Sequence, residues 1–390
     1  MSEQEAVKKG SGMTRRGLLG AASLTAAGLA AGSLVGVPEA KASSQEGKHH
    51  EPLETFKYDL EKSTGWGGKG GTAKEVTVDE FPVSESIAGV SMRLQPGGLR
   101  ELHWHAIAAE WAYVIKGNVR TTVLAPDGSA EWIDFGPGDV WYFPKGHGHA
   151  LQGLGPGETH FLLAFDDGHF SEFGTFSITD WLGHTPDEIL ARNLRLPQAA
   201  LSGLPKSERY IVAGRVPPAV AEPLRNGNPV VSRLSHKYRL GAANPIVFPG
   251  GEMRIVSSKE FPIQTTLTAV LLDLKPGALR EMHWHPRADE WVYFQYGRAR
   301  MTIFGAHGRA ATEEFEAGQI SFVKQGFGHY IEQIGDEPTR AIVLFNSPLY
   351  EEISLSTWLA SNPAMLIEDN FSLTQSEVAQ LPKKKLGILA

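Results

Sequence analysis

The sequence carries two sets of four side chains, and each set could hold one metal ion. In both sets the spacing is His-x-His-x4-Glu-x38-His. Three imidazoles and one carboxylate form a nitrogen and oxygen ligand set that suits Mn, Fe, Ni, Cu or Zn. The chain has no cysteine, which excludes thiolate ligands, cysteine nucleophiles and disulfides. The predicted ligands are His103, His105, Glu110 and His149 in the first set, and His283, His285, Glu290 and His329 in the second.

A ligand set works only if its side chains converge on one point, and β-strands can bring them together. Residues two apart on a strand project from the same face, so His103 and His105 can reach one ion. Glu110 opens the next predicted strand, and His149 begins a later one. An octahedral ion with four protein ligands keeps open positions for a substrate and a second small ligand such as dioxygen or water.

An arginine precedes each His-x-His by three residues, as Arg100 and Arg280. A guanidinium beside a metal ion is suited to binding a carboxylate through two hydrogen bonds. The alternative is an exposed salt bridge with no functional role. Strand alternation places Arg100 on the face opposite His103, so we expect a bulge or a late strand start, which Gly97-Gly98 would permit.

The two ligand sets lie in two copies of one domain. Gln95–His105 recurs as Lys275–His285, and the match continues without a gap at an offset of 180 residues. A repeat this long indicates a duplicated domain rather than a solenoid of short units. We predict domains over 43–228 and 229–390, linked through the proline-rich residues 216–229. A later Trp-Leu pair recurs at an offset of 177, so the segment before it is three residues longer in the first copy.

The local pattern within each copy predicts many short strands. Trp111–Lys116, Val119–Leu124 and Trp141–Phe143 are β-branched or aromatic runs separated by glycine-containing turns. Residues 178–193 and 356–370 have the pattern of short helices. Together with 43 glycines, 24 prolines and a hydrophobic fraction of 42%, this pattern is typical of an all-β sandwich or barrel.

Charge narrows the class of partner. The formal net charge is −7 over 390 residues. A modest acidic balance gives no sign of a nucleic-acid groove or a basic membrane surface. We therefore expect a small-molecule substrate or a soluble protein partner.

The first 42 residues have the features of an export signal. Arg15-Arg16 precedes the apolar, Gly-rich run Leu18–Val37, and Ala40-Lys41-Ala42 matches a signal-peptidase site. Paired arginines before a weakly hydrophobic segment resemble a twin-arginine signal. The alternatives are an uncleaved membrane anchor and a disordered tail. We expect export to the periplasm or the cell exterior, without membrane attachment after cleavage.

The ligand residues belong to longer motifs that resemble those of the cupins. Gly-x5-His-x-His-x4-Glu-x6-Gly runs from Gly97 to Gly117, and Gly-Asp-x4-Pro-x-Gly-x2-His runs from Gly138 to His149. Both halves carry both motifs, so the chain resembles a bicupin. The phrases Arg-Glu-Leu-His-Trp-His, Glu-Trp-Ala-Tyr and Gly-His-Tyr-Ile-Glu further resemble the bicupin oxalate decarboxylases, from about Pro52 to near the C-terminus.

This resemblance implies a fold and a reaction. The fold would be two tandem cupin barrels, each a double-stranded β-helix or jelly roll, with short helices after each barrel. The activity would be decarboxylation of oxalate to formate and carbon dioxide, with Mn at both sites and dioxygen as co-catalyst without net consumption. Arg100 and Arg280 would bind oxalate, and the assembly would be a homotrimer or homohexamer.

The resemblance also implies a lid in the longer segment of the first copy, Ser171–Thr175. Glu172 matches the family's proton donor, whereas Phe173 and Gly174 depart from the polar residues usual there. The second copy lacks this lid and has Val343 where the family has a further glutamate. We therefore expect catalysis at the first site, and a structural or carboxylate-binding role for the second. His147, beside His149, is interpreted as a rim residue.

Two other functions remain open from the sequence. An oxalate oxidase would release carbon dioxide and hydrogen peroxide, and the altered lid favours it while Glu172 opposes it. A non-catalytic bicupin that stores or binds carboxylates is the second alternative. Storage bicupins have generally lost their ligands, whereas this chain retains all eight.

Overall fold

The computed structural model describes residues 52–218 and 234–390. The predicted export signal, and the predicted linker beyond residue 218, lie outside these described residues. Among the helices in the described ranges, none is both long enough and apolar enough to cross a membrane.

The first half of the chain forms short antiparallel strands followed by two helices. The strands β1–β13 are Lys57–Asp59, Trp66–Gly68, Gly71–Val76, Ala88–Leu94, Gly98–Trp104, Glu110–Lys116, Val119–Leu124, Ala130–Phe135, Val140–Phe143, Gly148–Gly153, Thr159–Phe165, Phe176–Ser177 and Ile211–Ala213. The helices are α1 (Ile178–Gly183) and α2 (Asp187–Leu194). Three of these strands, β6, β7 and β9, were predicted, as were the helices.

The second half repeats this order with one more helix. The strands β14–β26 are Lys237–Tyr238, Ile246–Phe248, Gly251–Val256, Thr268–Leu274, Leu279–Trp284, Glu290–Tyr296, Arg298–Gly305, Arg309–Glu316, Gln319–Val323, Gly328–Gln333, Thr339–Phe345, Ile353–Ser354 and Ile388–Leu389. The helices are α3 (Leu355–Ala360), α4 (Ala364–Phe371) and α5 (Gln375–Val378). Helices α3 and α4 cover the range predicted from the sequence.

Each half forms a pair of sheets whose strands are all antiparallel. In the first barrel the larger sheet has the order β14-β9-β6-β11-β4-β3-β2, and the smaller has β12-β5-β10-β7-β8 with β13 added beside β5. The second barrel has β1-β22-β19-β24-β17-β16-β15 and β21-β20-β23-β18-β25, with β26 added beside β18. Two sheets packed face to face in each half make the predicted pair of tandem barrels.

The barrels exchange strands, so strand pairing does not follow the predicted domain boundary at 228/229. Strand β1 pairs with β22 of the second barrel, where Lys57 lies opposite Ser321. Strand β14 pairs with β9 of the first barrel, where Lys237 lies opposite Trp141. An edge strand exposes unpaired backbone groups, and each exchanged strand covers such an edge. Nothing in a run of two or three residues tells which barrel it will join.

A shared apolar core also joins the two barrels. One cluster of buried side chains contains Trp111 and Tyr113 from the first barrel together with Trp291 and Tyr293 from the second. The fit is close at Gly89, where a Cβ atom would lie 2.6 Å from the Trp291 ring. Each barrel also has an apolar cluster of its own, and these lie beside the metal-ligand sets.

Candidate metal centres and lid

The first ligand set converges inside the first barrel. The ligand atoms of its four side chains lie within 4.8 Å of one another, and all four side chains are buried. His103 lies near the end of β5, directly opposite His149 on β10. His105 follows the end of β5, and Glu110 begins β6. The sheet therefore brings together residues that the sequence spaces up to 46 apart, from 103 to 149.

A β-bulge turns the arginine towards the same side as the histidines. Arg100 lies opposite Leu151 and His103 opposite His149, so β5 places one more residue between these pairs than β10 does. Both Arg100 and His103 are consequently buried, at 0% and 2% exposure. The expected bulge is confirmed, although it falls after Arg100 and not at the two glycines before it. The second barrel has the same bulge between Arg280 and His283.

Hydrogen bonds orient the imidazoles of the first centre. The Nδ1 atom of His103 lies 2.5 Å from the carbonyl oxygen of Glu101, and that of His149 lies 2.8 Å from the carbonyl oxygen of His147. A ring whose Nδ1–H donates to a carbonyl presents the lone pair of Nε2 to the centre. In the described part of the chain, the buried His103 Nε2 has no hydrogen-bond partner. This unpartnered nitrogen, surrounded by other ligand atoms, fits a bound metal ion.

The electrostatics of the first centre match the needs of a divalent cation. Burial lowers the pKa of His103 well below its usual range, so this imidazole is neutral and free to coordinate. Burial acts to raise the pKa of Glu110, but the adjacent His149 and His105 outweigh it and hold the pKa far below its usual range. The indole N–H of Trp141 donates to Glu110 Oε1 at 2.7 Å and fixes the carboxylate. One anion among three neutral nitrogens is the ligand chemistry predicted from the sequence.

The second ligand set forms an equivalent centre. Its four ligand atoms also lie within 4.8 Å of one another, on buried side chains. Glu290 Oε2 lies 2.8 Å from His285 Nε2 and 3.0 Å from His329 Nε2. Burial acts to raise the pKa of Glu290, yet these imidazoles hold it far below its usual range. His147 lies outside both ligand clusters, with its ring 6.0 Å from that of His236.

The predicted lid lies over the first centre in a closed position. Glu172 begins a short 3-10 turn that ends at Gly174, and its side chain is only 1% exposed. Arg100 donates to Glu172 Oε2 at 2.7 Å. The hydroxyl of Thr175 lies 3.2 Å from the Nδ1 atom of His105. The structure therefore brings both predicted substrate-handling residues, Arg100 and Glu172, beside the metal ligands.

Tyr210 is a further member of this site that sequence reasoning missed. The Arg100 guanidinium carbon lies 4.0 Å from the centre of the Tyr210 ring. Burial, with the neighbouring Glu172 carboxylate, raises the pKa of the Tyr210 hydroxyl well above its usual value. Glu101 holds this segment in place, because its Oε1 accepts the backbone N–H groups of Arg209 and Tyr210, both at 2.7 Å. The repeated Arg-Glu pair in both copies was the available signal for this anchoring role.

Glu75, on β3, was also missed. Its Oε1 accepts the hydroxyl of Ser171 at 3.1 Å, and its Oε2 accepts the backbone N–H of Glu172 at 2.6 Å. Burial raises the pKa of Glu75 to about 7. A comparison of the two copies could have found it, since the residue 180 positions later is Ile255.

The expectation that the second centre has no acid beside its arginine was wrong. Val343 is buried in the apolar cluster of the second barrel, but Glu352 reaches Arg280 from the segment before β25. Lys385 contacts the same carboxylate, and Tyr350 donates to it. Burial acts to raise the pKa of Glu352, whereas Arg280 and Lys385 outweigh it and keep the pKa below its usual value. This carboxylate is therefore held in its ionised form.

Comparisons with known proteins agree with this geometry. The family model described as Cupin matches residues 61–200 and 239–379, so the chain contains two cupin domains. It is 41% identical to the oxalate decarboxylase OxdC of Bacillus subtilis (strain 168) over 336 residues, which cover 86% of this chain and 87% of that protein. It is 35% identical to a probable oxalate decarboxylase of Arthroderma benhamiae over 82% of this chain and 80% of that protein. The chain belongs to the oxalate decarboxylase family of bicupins.

Solved structures give the same result for the fold. A structure of oxalate decarboxylase from Bacillus subtilis superposes with a TM-score of 0.83 at 40% identity, covering 87% of this chain and 88% of that one. A second structure, from work on the Mn(II) centres of that enzyme, has a TM-score of 0.82 and covers 87% of this chain and 90% of that one. The predicted family and the predicted fold are both confirmed.

We expect the glutamate ligands to decide how much metal each centre holds. Glu110→Gln and Glu290→Gln each remove the single anion of one centre, so each variant should keep about one of the two ions per chain. Elemental analysis after exhaustive dialysis measures this, and Glu316→Gln, an exposed site that is 56% accessible, is the control. Two ions per chain in Glu110→Gln would contradict the assignment of that ligand.

Proposed function

We propose that this protein is a manganese-dependent oxalate decarboxylase that converts oxalate to formate and carbon dioxide and needs dioxygen without consuming it. The observation that carries the proposal is the buried Arg100–Glu172 pair beside the first ligand set. The names of the relatives and the Mn(II) centres of the similar structure support the same reading. We place the reaction at the first centre.

The residues of the first centre would hold the manganese ion through three imidazole nitrogens and the Glu110 carboxylate. When bound, the ion supplies a Lewis acid for one carboxylate of oxalate and one-electron chemistry with dioxygen. The protein must then bind the other end of the substrate, exclude water and deliver a proton. Hydrogen oxalate gives carbon dioxide and formate, so one C–C bond breaks, one C–H bond forms and no net oxidation occurs.

Arg100 is placed to bind the substrate carboxylate. Its guanidinium is wholly buried and donates to Glu172, while its other donors face the Tyr210 carbonyl at 3.5 Å and Glu208 at 4.0 Å. A carboxylate arriving beside the metal can take over the donors now given to Glu172, because the planar guanidinium binds carboxylates in pairs of hydrogen bonds.

Glu172 is placed to supply the proton. While it accepts from Arg100, the ionised form of its carboxyl group is stabilised. Once a substrate carboxylate occupies Arg100, that stabilisation is lost, and burial then favours the protonated form. A protonated Glu172 inside a closed lid can donate to the carbon left after carbon dioxide departs. Arg100 thereby couples substrate binding to the protonation of Glu172.

The same arrangement disfavours the two alternative functions. Without a proton donor, electrons would pass to dioxygen and the products would be carbon dioxide and hydrogen peroxide. Glu172 is buried beside Arg100 despite the altered residues that follow it in the lid, which favours decarboxylation over this oxidase reaction. A storage or binding protein has no use for a buried acid beside a four-ligand metal centre. At the second centre, the clamped Glu352 is a poor proton donor, which favours a structural role there.

Removal of the acid tests the proposal directly. The wild-type protein, loaded with manganese and incubated with oxalate under air, should release formate and carbon dioxide in about equal amounts with little peroxide. Glu172→Ala should lower formate production by about a hundredfold or more, the usual contribution of a general acid, and raise the share of peroxide. Metal content should be unchanged in Glu172→Ala and in the control Glu188→Ala on α2. Full formate turnover in Glu172→Ala would overturn the assignment.

The exposed surface supports self-assembly into a homotrimer or a dimer of trimers. Two apolar patches, one on each barrel, surround the tryptophans that follow the barrels: Leu102, Phe176 and Trp181 on the first, and Met282, Phe304 and Trp358 on the second. Each of these side chains is more than half exposed. The second patch borders an apolar hollow lined by Trp284 and Trp358. A head-to-tail contact between the two patches of neighbouring chains would close a ring.

We expect one charge in the second patch to break this ring. Trp358→Glu should reduce the particle mass measured by light scattering from a trimer or hexamer to a monomer, because the contact buries an unpaired carboxylate. Val247→Glu places the same charge on strand β15, where the side chain is 69% exposed, and should leave the mass unchanged. A monomeric wild-type protein would refute the assembly.

The amino-terminal segment supports export by the twin-arginine route, which carries folded proteins with their metal already bound. The support is the sequence alone: the paired arginines, the apolar run and the cleavage motif ending at Ala42. Replacing Arg15 and Arg16 by lysine should retain the protein, uncleaved, in the cytoplasm. Cell fractionation with mass analysis of the amino terminus measures this, and normal export of the double variant would refute the route.

A further inference from the structure

The two barrels differ at a position that sequence repetition otherwise keeps in step. Glu75 lies on β3 opposite Val90, and Ile255 lies on β16 opposite Val270. Both pairs differ by the same 180 residues, so Glu75 and Ile255 occupy equivalent places in the two barrels. The acid is present in the barrel with the longer lid and is replaced by an apolar residue in the other barrel.

The contacts of Glu75 explain why the two features occur together. One carboxylate oxygen accepts the hydroxyl of Ser171 and the other accepts the backbone N–H of Glu172, at 3.1 and 2.6 Å. A carboxylate that accepts two hydrogen bonds from successive residues holds a segment in one place and orientation. The segment held here carries the side chain that meets Arg100. In the second barrel Arg280 meets a different segment, and Glu352 there is fixed by Lys385.

We propose that Glu75 is a positioning residue that latches the lid shut from behind, so that Glu172 is held against the first centre. It does not touch the predicted metal ligands or the place of the substrate; it acts through the backbone of Glu172. A loosened latch leaves the lid open for longer, and intermediates then meet dioxygen and water before a proton arrives. The consequence for product formation rests on the proposed decarboxylase activity, whereas the latch itself does not.

The surroundings of Glu75 make the latch sensitive to pH. Burial raises its pKa to about 7, and the carboxylates of Glu172 and Glu80 act in the same direction. The phenol of Tyr210 also faces this group. In an open lid, Glu75 would be solvated and have an ordinary pKa near ~4.3, so closing the lid favours the protonated form. This contribution to closure is complete below the ordinary pKa and is lost as the pH rises through about 7.

A protonated Glu75 keeps both contacts. Its carbonyl oxygen still accepts the N–H of Glu172, and its hydroxyl can donate to Ser171 Oγ in place of accepting from it. The latch therefore works in the acidic range, and weakens when an ionised Glu75 faces the other carboxylates.

The test replaces the acid by the residue of the second barrel. In Glu75→Ile, hydrogen exchange of lid residues 171–175, followed by mass spectrometry on the metal-loaded mature protein, should be about tenfold faster than in the wild type. The share of oxalate converted to peroxide should rise. Glu252→Gln, on β16 of the barrel without this lid, is the matched control and should change neither quantity. Equal metal content in all variants shows that the first centre is intact.

Glu75→Gln separates acceptor from charge. Its amide oxygen can still accept the N–H of Glu172, so lid exchange at pH 5 should stay within about threefold of the wild type. The wild type should lose lid protection between pH 6 and 8, after correction for the intrinsic exchange rate, whereas Glu75→Gln should not. Lid exchange in Glu75→Ile equal to that of the wild type would overturn the latch. If the wild type makes no formate, the proposed activity fails, while the exchange measurements still decide the latch.

Discussion

A buried arginine must have an anion beside it, and the architecture of each site follows from this requirement. Arg100 and Arg280 have 0% and 3% exposure. An unpaired charge in such a place is strongly unfavourable, and breaking a buried ion pair costs about 3–5 kcal/mol. Each barrel therefore brings a carboxylate to its arginine from the segment that precedes the helices. The bulge that turns the arginine inwards creates the requirement, and this segment meets it.

The two barrels meet this requirement in ways that suit different roles. In the second barrel, Glu352 lies between Arg280 and Lys385 and receives a hydrogen bond from Tyr350, so its charge is permanent. In the first barrel, Glu172 has Arg100 as its only ion-pair partner and belongs to a longer segment. One carboxylate is locked and the other is exchangeable. Equivalent metal ligands can thus serve a structural centre and a reactive one, because the difference lies in the residues around the arginine.

Much of this could be predicted from the sequence, since the ligands sit in motifs whose spacing repeats. His103 and His105 share a face through strand alternation, and the conflict between that alternation and Arg100 correctly required a bulge. The strand exchange could not be predicted, because β1 and β14 are too short to carry a pattern that selects a barrel. Glu352 was missed since it is not aligned with the family's acid; it reaches the same arginine along a different chain path. Glu75 was missed because a single partly buried glutamate on a strand has no local signature.

The pairing of Arg100 with Glu172 also explains how a closed lid can be selective. To enter, a ligand must replace the Glu172 carboxylate at a buried guanidinium, so only an anion compensates for the lost ion pair. A monocarboxylate that binds Arg100 leaves the open positions of the metal without a second carboxylate, and one that binds the metal leaves Arg100 with Glu172. A small dicarboxylate can do both at once, and only then is Glu172 released from Arg100 and driven by burial towards its protonated form. The acid is therefore armed by the ligand that needs its proton, and the empty site keeps it ionised.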